Sequence, residues 1–566
     1  MSESKINPLL LTDGYKTSHN SMYPKGTTKV YSNFTPRSNK YAPKGCDQVV
    51  SFGQQMVMQQ IHEAFQRDFF SQPKEIVCGQ MKEELSMYLG TDYDASHFEA
   101  LHDLGYLPIA VKAIPEGMTV PIKVPVLTIY NTHPDFYWLT NYLETILSNL
   151  MWKPMTSATI AQQYRKVLTK WMRKTDPANA WFIDWQGHDF SMRGMDSAEA
   201  VISSGLGHLT AFSGTDSLPA IYGARKYYGA EGFVGGSVPA TEHSVMCAGG
   251  KEDEVETFRR LLNTYPKGIL SVVSDTWDLW KVCTEHVVTL KEEILARDGK
   301  LVIRPDSGDP VDILCGSASI IDYGDKVKTL EELKEWAKEE LEDKVREETG
   351  HGDCGVGETS GLFLFENQIY KVSIEIEWNS YDKQYYFIEC SNVTSCKAYE
   401  LNPTEKGVIE LLWDVFGGTV NEQGYKVLDP HIGAIYGDSI TIDRADEICR
   451  RLEAKGFAST NVVLGIGSFT YQFNTRDTFG FAMKATYCEI NGVGQEIFKD
   501  PITDDGTKKS ATGLLCVEEH DGQIGLYDKV SWATEGTGLL QLIYMNGEVY
   551  NTTTLSEIRE KLKKNI

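Results

Sequence analysis

A chain of 566 residues, 41% hydrophobic and 24% charged, has the composition of a folded globular protein with room for two to four domains. Its formal charge of −24 argues against nucleic acid or an anionic membrane as the main partner, so any phosphate it binds belongs in a local cationic pocket. Eleven cysteines, an odd number with no C-x-x-C pair, point to a reducing compartment, and no apolar run reaches the roughly 20 residues that cross a bilayer. The first residues lack a basic, signal-like region, so the expectation is a cytoplasmic protein without a membrane anchor.

In chain order, β-branched and aromatic runs predict strands over 30–34 and 124–130, followed by an aromatic-rich helix over 136–150. Helices are predicted over 196–209 and 217–228, flanking Ser213-Gly-Thr-Asp216. From about 268 one pattern repeats: an apolar run, then a polar cluster, often followed by a helical stretch. Residues 269–274 run into Asp275-Thr-Trp-Asp278, and 301–303 into Arg304-Pro-Asp-Ser-Gly308. Residues 432–436 lead to Gly437-Asp438, and 462–464 to Gly465-Ile-Gly-Ser468. Between the last two runs, Ala445, Ile448, Cys449 and Leu452 share a helical face that ends at Gly456, a glycine placed as a C-terminal cap. Strands alternating with helices imply a parallel sheet, and polar clusters after the strands all fall at its active-site end.

Residues 316–428 interrupt this rhythm and are too long for an ordinary loop. Thr329 is placed to cap a charged helix with Leu330, Leu333, Trp336, Ala337 and Leu341 on one face. A Gly-rich loop over 351–361 and a hairpin of 370–377 with 384–390 follow. The spacing of His351, Cys354, Cys390 and Cys396 matches no standard zinc pattern, so this segment reads as a plain inserted subdomain.

His243 stands in Ser237-Val-Pro-Ala-Thr-Glu-His243-Ser, with a lone Cys247 at i+4 and no further ligand at zinc spacing. Zinc is excluded by spacing, which leaves acid, base, phosphate ligand or buried filler. Four acids (Asp216, Asp278, Asp306, Asp438), two glycine-bearing loops and the cations Arg193, Arg304, Arg476 and Lys484 fit a phosphorylated sugar: acids for hydroxyls or Mg²⁺, glycines and cations for phosphate.

These clusters, together with Leu10-Leu-Thr-Asp-Gly-Tyr-Lys16, His188-Asp-Phe-Ser-Met-Arg-Gly194, Thr475-Arg-Asp477 and Phe498-Lys-Asp-Pro501, occur in one order along nearly the whole chain apart from the insertion. In that order and wording the chain resembles the nicotinamide phosphoribosyltransferases, type II phosphoribosyltransferases that make nicotinamide mononucleotide in NAD salvage. The resemblance implies an α/β fold: an irregular β/α barrel over 181–475, an N-terminal α+β domain over 1–180 to which 476–566 contributes, and the insertion at 316–428. It implies a cytoplasmic homodimer with active sites at the subunit interface, and as substrates nicotinamide and phosphoribosyl pyrophosphate. Mg²⁺ would be held through the diphosphate without a direct protein ligand, and ATP would act as a stimulatory co-substrate.

Residue by residue, the resemblance places nicotinamide between Phe190 and the Tyr15 of a second subunit, with Asp13 nearby and Asp216 accepting from the carboxamide. Arg304, Asp306, Asp278 and Asp438 would hold the ribose and the ligand around it, and Gly437, Gly467, Ser468 and Arg476 the nucleotide phosphate. Arg37, Arg193, Lys484, Lys499 and Lys508 would line the phosphoribosyl pyrophosphate, diphosphate or ATP region, the last aligned by allowing one extra loop residue. Arg304 and His243 would share that region. His243 would be phosphorylated by ATP, and with Asp306 and Asp278 would carry the catalytic role. The reaction itself needs no general base, because the pyridine nitrogen is already a nucleophile. The chain departs from the family at Thr241, which puts a hydroxyl where it can alter the phosphate environment, and at Gly433, where an arginine would add a cation. It departs also at Ser468-Phe469 and Ser191-Met192. A nicotinate phosphoribosyltransferase, or a catalytically weak nucleotide-binding protein, are the alternative readings.

Overall fold

A computed structural model describes residues 6–348, 355–381, 385–437, 439–498 and 511–564. The chain is an α/β protein of two compact units, one formed by Met1–Val238, Gly437–Cys449 and Ala458–Ile566, the other by Pro239–Tyr436 and Arg450–Phe457.

In the first unit a seven-stranded antiparallel sheet runs in the order Val493–Glu496, Ala482–Ile490, Thr27–Thr35, Leu127–Asn131, Ile109–Ala113, Gln541–Met545, Glu548–Val549. Four of these strands come from the C-terminal segment, which therefore completes a sheet begun by the N-terminal one. Phe34, Val111, Leu127 and Ile129 are fully buried in one apolar core with Met56, Val57 and Met58 of the helix Gln54–Phe65. The predicted strands at 30–34 and 124–130 are present as Thr27–Thr35 and Leu127–Asn131. The predicted helix at 136–150 is instead a short helix Leu139–Tyr142 followed by Glu144–Thr175, a 32-residue helix that runs straight through Pro154. Its stripe of Leu147, Met151, Met155, Ala158 and Ala161 is wholly buried, and that burial outweighs the hydrogen bond a proline removes.

The same unit holds three parallel strands, Gly187–Asp189, Gly214–Thr215 and Val462–Ile466, in the registers Ile466↔Asp189 and Asp189↔Thr215. The second unit holds three more, Lys267–Val273, Asp298–Arg304 and Ile432–Tyr436, in the registers Val273↔Arg304 and Ala434↔Ile303. Ala240 adds a parallel bridge to Ser271. The expected helix is Ile442–Ala454. Gly456, at φ +74, ends it: its N–H reaches the Glu453 carbonyl at 2.9 Å and the Phe457 N–H reaches Leu452 at 2.8 Å, the paired bonds of a Schellman closure.

Within the second unit, the insertion forms its own layer pair. A sheet in the order Ile320–Asp322, Gly355–Phe365, Gln368–Tyr381, Tyr385–Ala398 packs Phe363, Val372, Ile374 and Ile376 against Leu333, Ala337, Leu341 and Val345 of the helix Leu330–Glu348. Thr329 caps that helix as expected, exchanging bonds with Glu332 at 3.2 Å. Trp336 is not on the buried face; it stays 39% exposed and meets Tyr323 edge-on at 5.0 Å. The expected Gly-rich loop is, from Gly355 onward, a strand; His351, Cys354 and the hairpin's 382–384 turn lie outside the described residues. Within 316–428, this layer pair leaves and rejoins the rest of its unit at two glycines in contact, Gly316 and Gly407. A Cβ on Gly316, at φ +85, would fall 2.1 Å from the Glu405 carbonyl oxygen, and one on Gly407, at φ +79, would fall 2.2 Å from the Gly316 nitrogen.

Among the described residues no helix is long and apolar enough to cross a membrane, and the ten described cysteines are all free.

Candidate active site

The residues singled out in the sequence gather at the C-terminal ends of parallel strands, within each unit taken separately. In the first unit Phe190, Asp216 and Gly467-Ser468 each follow directly on one of three neighbouring strands. His188 Nε2 meets Asp216 Oδ1 at 2.9 Å, and the His188 ring lies on Phe190 with centroids 4.4 Å apart. Backbone bonds lock the three strand ends together: Asp216 N–H donates to the Asp189 carbonyl at 3.0 Å, and Phe190 N–H to that of Ile466 at 3.0 Å. Asp189, fully buried, accepts from the Ser191 N–H at 2.9 Å and shapes the turn that presents Phe190. Gly194 is needed beside Ser468, whose Oγ lies 2.2 Å from where a Cβ would stand, so the loop bearing Arg193 sits against the start of the short helix Ser468–Gln472.

His208 holds this corner from beneath. Its Nε2 faces the Gly214 carbonyl at 2.9 Å, which can only accept, so Nε2 carries the proton and Nδ1 accepts from the Tyr471 hydroxyl at 2.7 Å. Burial holds the imidazole down at about 4, and that of His97 at about 4 as well. In the unfolded chain both take up protons near 6.5, so between about 4 and 6.5 the unfolded state binds more protons and stability falls as pH falls. The melting temperature is expected to drop progressively on acidification from pH 6.5 to 4, with proton uptake on unfolding; a flat profile over that window would contradict neutral, buried imidazoles.

In the second unit Thr276 Oγ1 lies 3.1 Å from His243 Nδ1, and Asp306 Oδ2 lies 3.8 Å from Nε2, with the ring about half exposed. Asp275 shapes this corner: its Oδ2 accepts from the Asp306 N–H at 2.8 Å and the Ser307 hydroxyl at 2.6 Å. The Tyr436 hydroxyl donates to the Gly308 carbonyl at 2.8 Å and fixes the far side of the same loop. Arg304 ends its strand, and Asp278 caps the turn after its own, accepting from the Lys281 N–H at 3.1 Å.

Thr241, two residues before His243, is bonded to the neighbouring strand. It is 6% exposed, and its hydroxyl accepts the Val273 N–H at 2.9 Å, pinning the segment before His243 to the strand Lys267–Val273. Thr241→Val is expected to destabilise the fold by about 1–3 kcal/mol, because the Val273 N–H is left without an acceptor. Chemical denaturation checks this. At Gly433 the Lys300 stem comes within 3.2 Å, and its ammonium within 3.7 Å, of where a Cβ would be.

Of the other cations, Arg37 donates to the Gly480 carbonyl at 3.0 Å, and Lys484 lies opposite Asn33 in the seven-stranded sheet. Arg476 stands in a short turn beside Asp477, so Arg476 and Lys484 do not share a helix face. Asp13 is held by Thr145, whose hydroxyl donates to it at 2.7 Å. Tyr15 is 62% exposed and packs on His19 at 5.6 Å. Gly437 follows the strand Ile432–Tyr436; Asp438, Lys499 and Lys508 lie outside the described residues. His188, Asp275 and Thr276 are the site residues that sequence reasoning left without a role. All three stood inside the quoted motifs, but adjacency along the chain gave no sign of their partners.

A family model described as the nicotinate phosphoribosyltransferase (NAPRTase) family matches residues 185–336 and 387–541, and one described as the N-terminal domain of nicotinamide phosphoribosyltransferase matches residues 7–109. The gap in the first match, 337–386, falls inside the inserted subdomain. The chain is 44% identical to the nicotinamide phosphoribosyltransferase of Acinetobacter baylyi, over 99% of this chain and 98% of that one. It is 31% identical to the nicotinamide phosphoribosyltransferase of Mycoplasma pneumoniae, over 90% and 95%. Among solved structures it is similar to human nicotinic acid phosphoribosyltransferase, with TM-score 0.49 at 13% identity, covering 98% of this chain and 93% of that one.

Proposed function

Because this chain belongs to the nicotinate phosphoribosyltransferase (NAPRTase) family and is a phosphoribosyltransferase, we propose that it converts nicotinamide and phosphoribosyl pyrophosphate into nicotinamide mononucleotide and diphosphate, as in NAD salvage. The observation that carries the choice of substrate is the Asp216 carboxylate, held by His188 beside the Phe190 ring. A carboxylate accepts a carboxamide N–H and repels the carboxylate of nicotinate. Phe190 offers the ring face, and Tyr15, exposed on a single chain, is suited to close the other side from a second subunit of a homodimer.

In the reaction, the pyridine nitrogen forms a bond to ribose C1 as the bond from C1 to the diphosphate oxygen breaks, and the electron pair leaves with diphosphate. No proton moves. Asp306 and Asp278 provide acceptors for the ribose hydroxyls, Arg304 and Arg193 provide charge-assisted donors to phosphate oxygens, and Gly467 and Ser468 provide close backbone approach. Mg²⁺, held through the diphosphate without a direct protein ligand, would neutralise the leaving group's charge. His243, steadied by Thr276 and facing Asp306, takes the γ-phosphoryl group from ATP onto a ring nitrogen as ADP departs, and the phosphohistidine stimulates synthesis. The free cysteines agree with a reducing, cytoplasmic setting.

The test is incubation of the purified protein with phosphoribosyl pyrophosphate, Mg²⁺ and either nicotinamide or nicotinate, with the mononucleotide identified by mass. Nicotinamide mononucleotide is the expected product. Formation of the nicotinate product alone, or binding of mononucleotide without turnover, would overturn this reading.

A further inference from the structure

Three consecutive residues of the short helix Ser468–Gln472 are each tethered by a side chain from elsewhere in the first unit. The central one is Tyr471, whose hydroxyl meets His208. Its neighbours on either side are both held by the long helix Glu144–Thr175. Tyr164, fully buried, donates its hydroxyl proton to the Ile440 carbonyl at 2.6 Å, and its oxygen lies 3.0 Å from Thr470 Oγ1. A phenol has one proton and a carbonyl can only accept, so Thr470 is the donor of the second bond. Lys153, 8% exposed, donates from Nζ to Gln472 Oε1 at 3.1 Å, and the same oxygen accepts the Asp196 N–H at 3.3 Å. Lys153 and Tyr164 stand about three helical turns apart and therefore share one face of their helix.

These bonds join three segments. Asp196 closes the loop that carries Arg193, and Gly194 of that loop packs on Ser468. Ile440 belongs to the segment that follows Gly437, where Ser439 stands at φ +55, a left-handed backbone that favours glycine. The Ser439 carbonyl accepts from Arg444 Nη1 at 2.8 Å, so two successive carbonyls of this segment are fixed by side chains. A helix of five residues has too few internal bonds to hold its own shape. Without its tethers, the turn at Gly467-Ser468 and the segments bonded to it would be left for a ligand to order. Arg193, Gly467 and Ser468 are the residues that the proposed function gives to phosphate.

Resting on that reading, we propose that Tyr164 and Lys153 are positioning residues for phosphoribosyl pyrophosphate. From one face of a single rigid helix they hold the phosphate-binding segments in their bound arrangement before the substrate arrives, and so remove the entropy of ordering from the binding step. Tyr164 acts through Ile440 and Thr470, and Lys153 through Gln472.

Calorimetric titration of phosphoribosyl pyrophosphate with Mg²⁺ into the full chain, without nicotinamide, measures this step with no turnover. Tyr164→Phe keeps the ring and removes the hydroxyl, and is expected to weaken binding by about three- to tenfold. In the steady-state assay its KM for phosphoribosyl pyrophosphate is expected to rise by the same factor while its KM for nicotinamide stays close to wild type. Lys153→Met, which keeps the stem, is expected to act likewise. Thr175→Val is the control: Thr175 lies on the same helix and its buried hydroxyl accepts the Ser459 N–H at 3.0 Å, beyond the end of the strand Val462–Ile466 that is remote from Ser468. This variant is expected to lower the melting temperature without weakening binding. A role in stability alone would lower the melting temperature in all three variants and leave every affinity unchanged. Should Tyr164→Phe fail to fold, Lys153→Met carries the test. Unchanged affinity in the variant that folds, or equal weakening by Thr175→Val, would overturn the proposal. Normal binding by a wild type that makes no mononucleotide would remove the proposed reaction and leave this inference standing; a wild type that does not bind would remove both.

Discussion

Asp216→Asn is expected to lower the preference for nicotinamide over nicotinate, expressed as the ratio of kcat/KM values, by about 10- to 100-fold. The size follows from two terms acting together. In the proposed complex the carboxylate accepts from the substrate amide in a charge-assisted bond, which asparagine reduces to a neutral one. It also repels the carboxylate of nicotinate, a penalty that disappears when position 216 is uncharged and its amide can donate instead. The side chain of Asp216 is 41% exposed, so solvent screens the repulsion and keeps the effect short of what a dry site would give. His188 still has an oxygen to meet in the variant, so its ring and the Phe190 face beneath it stay in place. The effect should therefore appear in the ratio of substrates more than in the rate with saturating nicotinamide. Competition between the two substrates in one vessel measures the ratio directly, and an unchanged ratio would remove Asp216 as the discriminating group.

His243→Ala is expected to abolish the stimulation by ATP completely while leaving basal synthesis measurable. The pyridine nitrogen needs no base, so losing the imidazole removes an energy-coupling step and not the bond-forming one. His243 has the geometry for such a role: half exposed, at the start of a short helix, with Thr276 on one nitrogen and Asp306 toward the other. Rates with and without ATP, together with transfer of labelled γ-phosphate to the protein, check the expectation. An ATP response that survives in the variant would exclude the phosphohistidine.

Four of the parallel strands, Lys267–Val273, Asp298–Arg304, Ile432–Tyr436 and Val462–Ile466, were legible in the sequence because each is a short apolar run followed by polar residues, whereas Gly187–Asp189 and Gly214–Thr215 carry no such run; Gly456 marked its helix end because a residue without Cβ suits that left-handed cap. Local pattern failed where long-range packing decides. Pro154 reads as a breaker, yet the helix Glu144–Thr175 is buried along its length and continues through it. Gly355, Gly357 and Gly361 read as a loop, yet Gly361 lies where a Cβ would press on Phe363 and Leu341, so that glycine is what packing demands of the strand. Thr241 drew attention for its place beside His243, but its partner, Val273, is 32 residues away and invisible to a motif. The pairing of His188 with Asp216 was hidden in the same way: both residues stood in recognised stretches, and only the register of two strands joins them.

The paired glycines at 316 and 407 give the inserted subdomain the properties of a cassette. Its two ends meet at backbone contact, it has an apolar core of its own, and the family match breaks off within it, over 337–386. Such a module could be excised and replaced by a short linker with almost no displacement of the flanking chain. The loop-closure entropy that a long excursion imposes on folding grows only slowly with length, which makes this crossing a low-cost point for gaining or losing a whole subdomain.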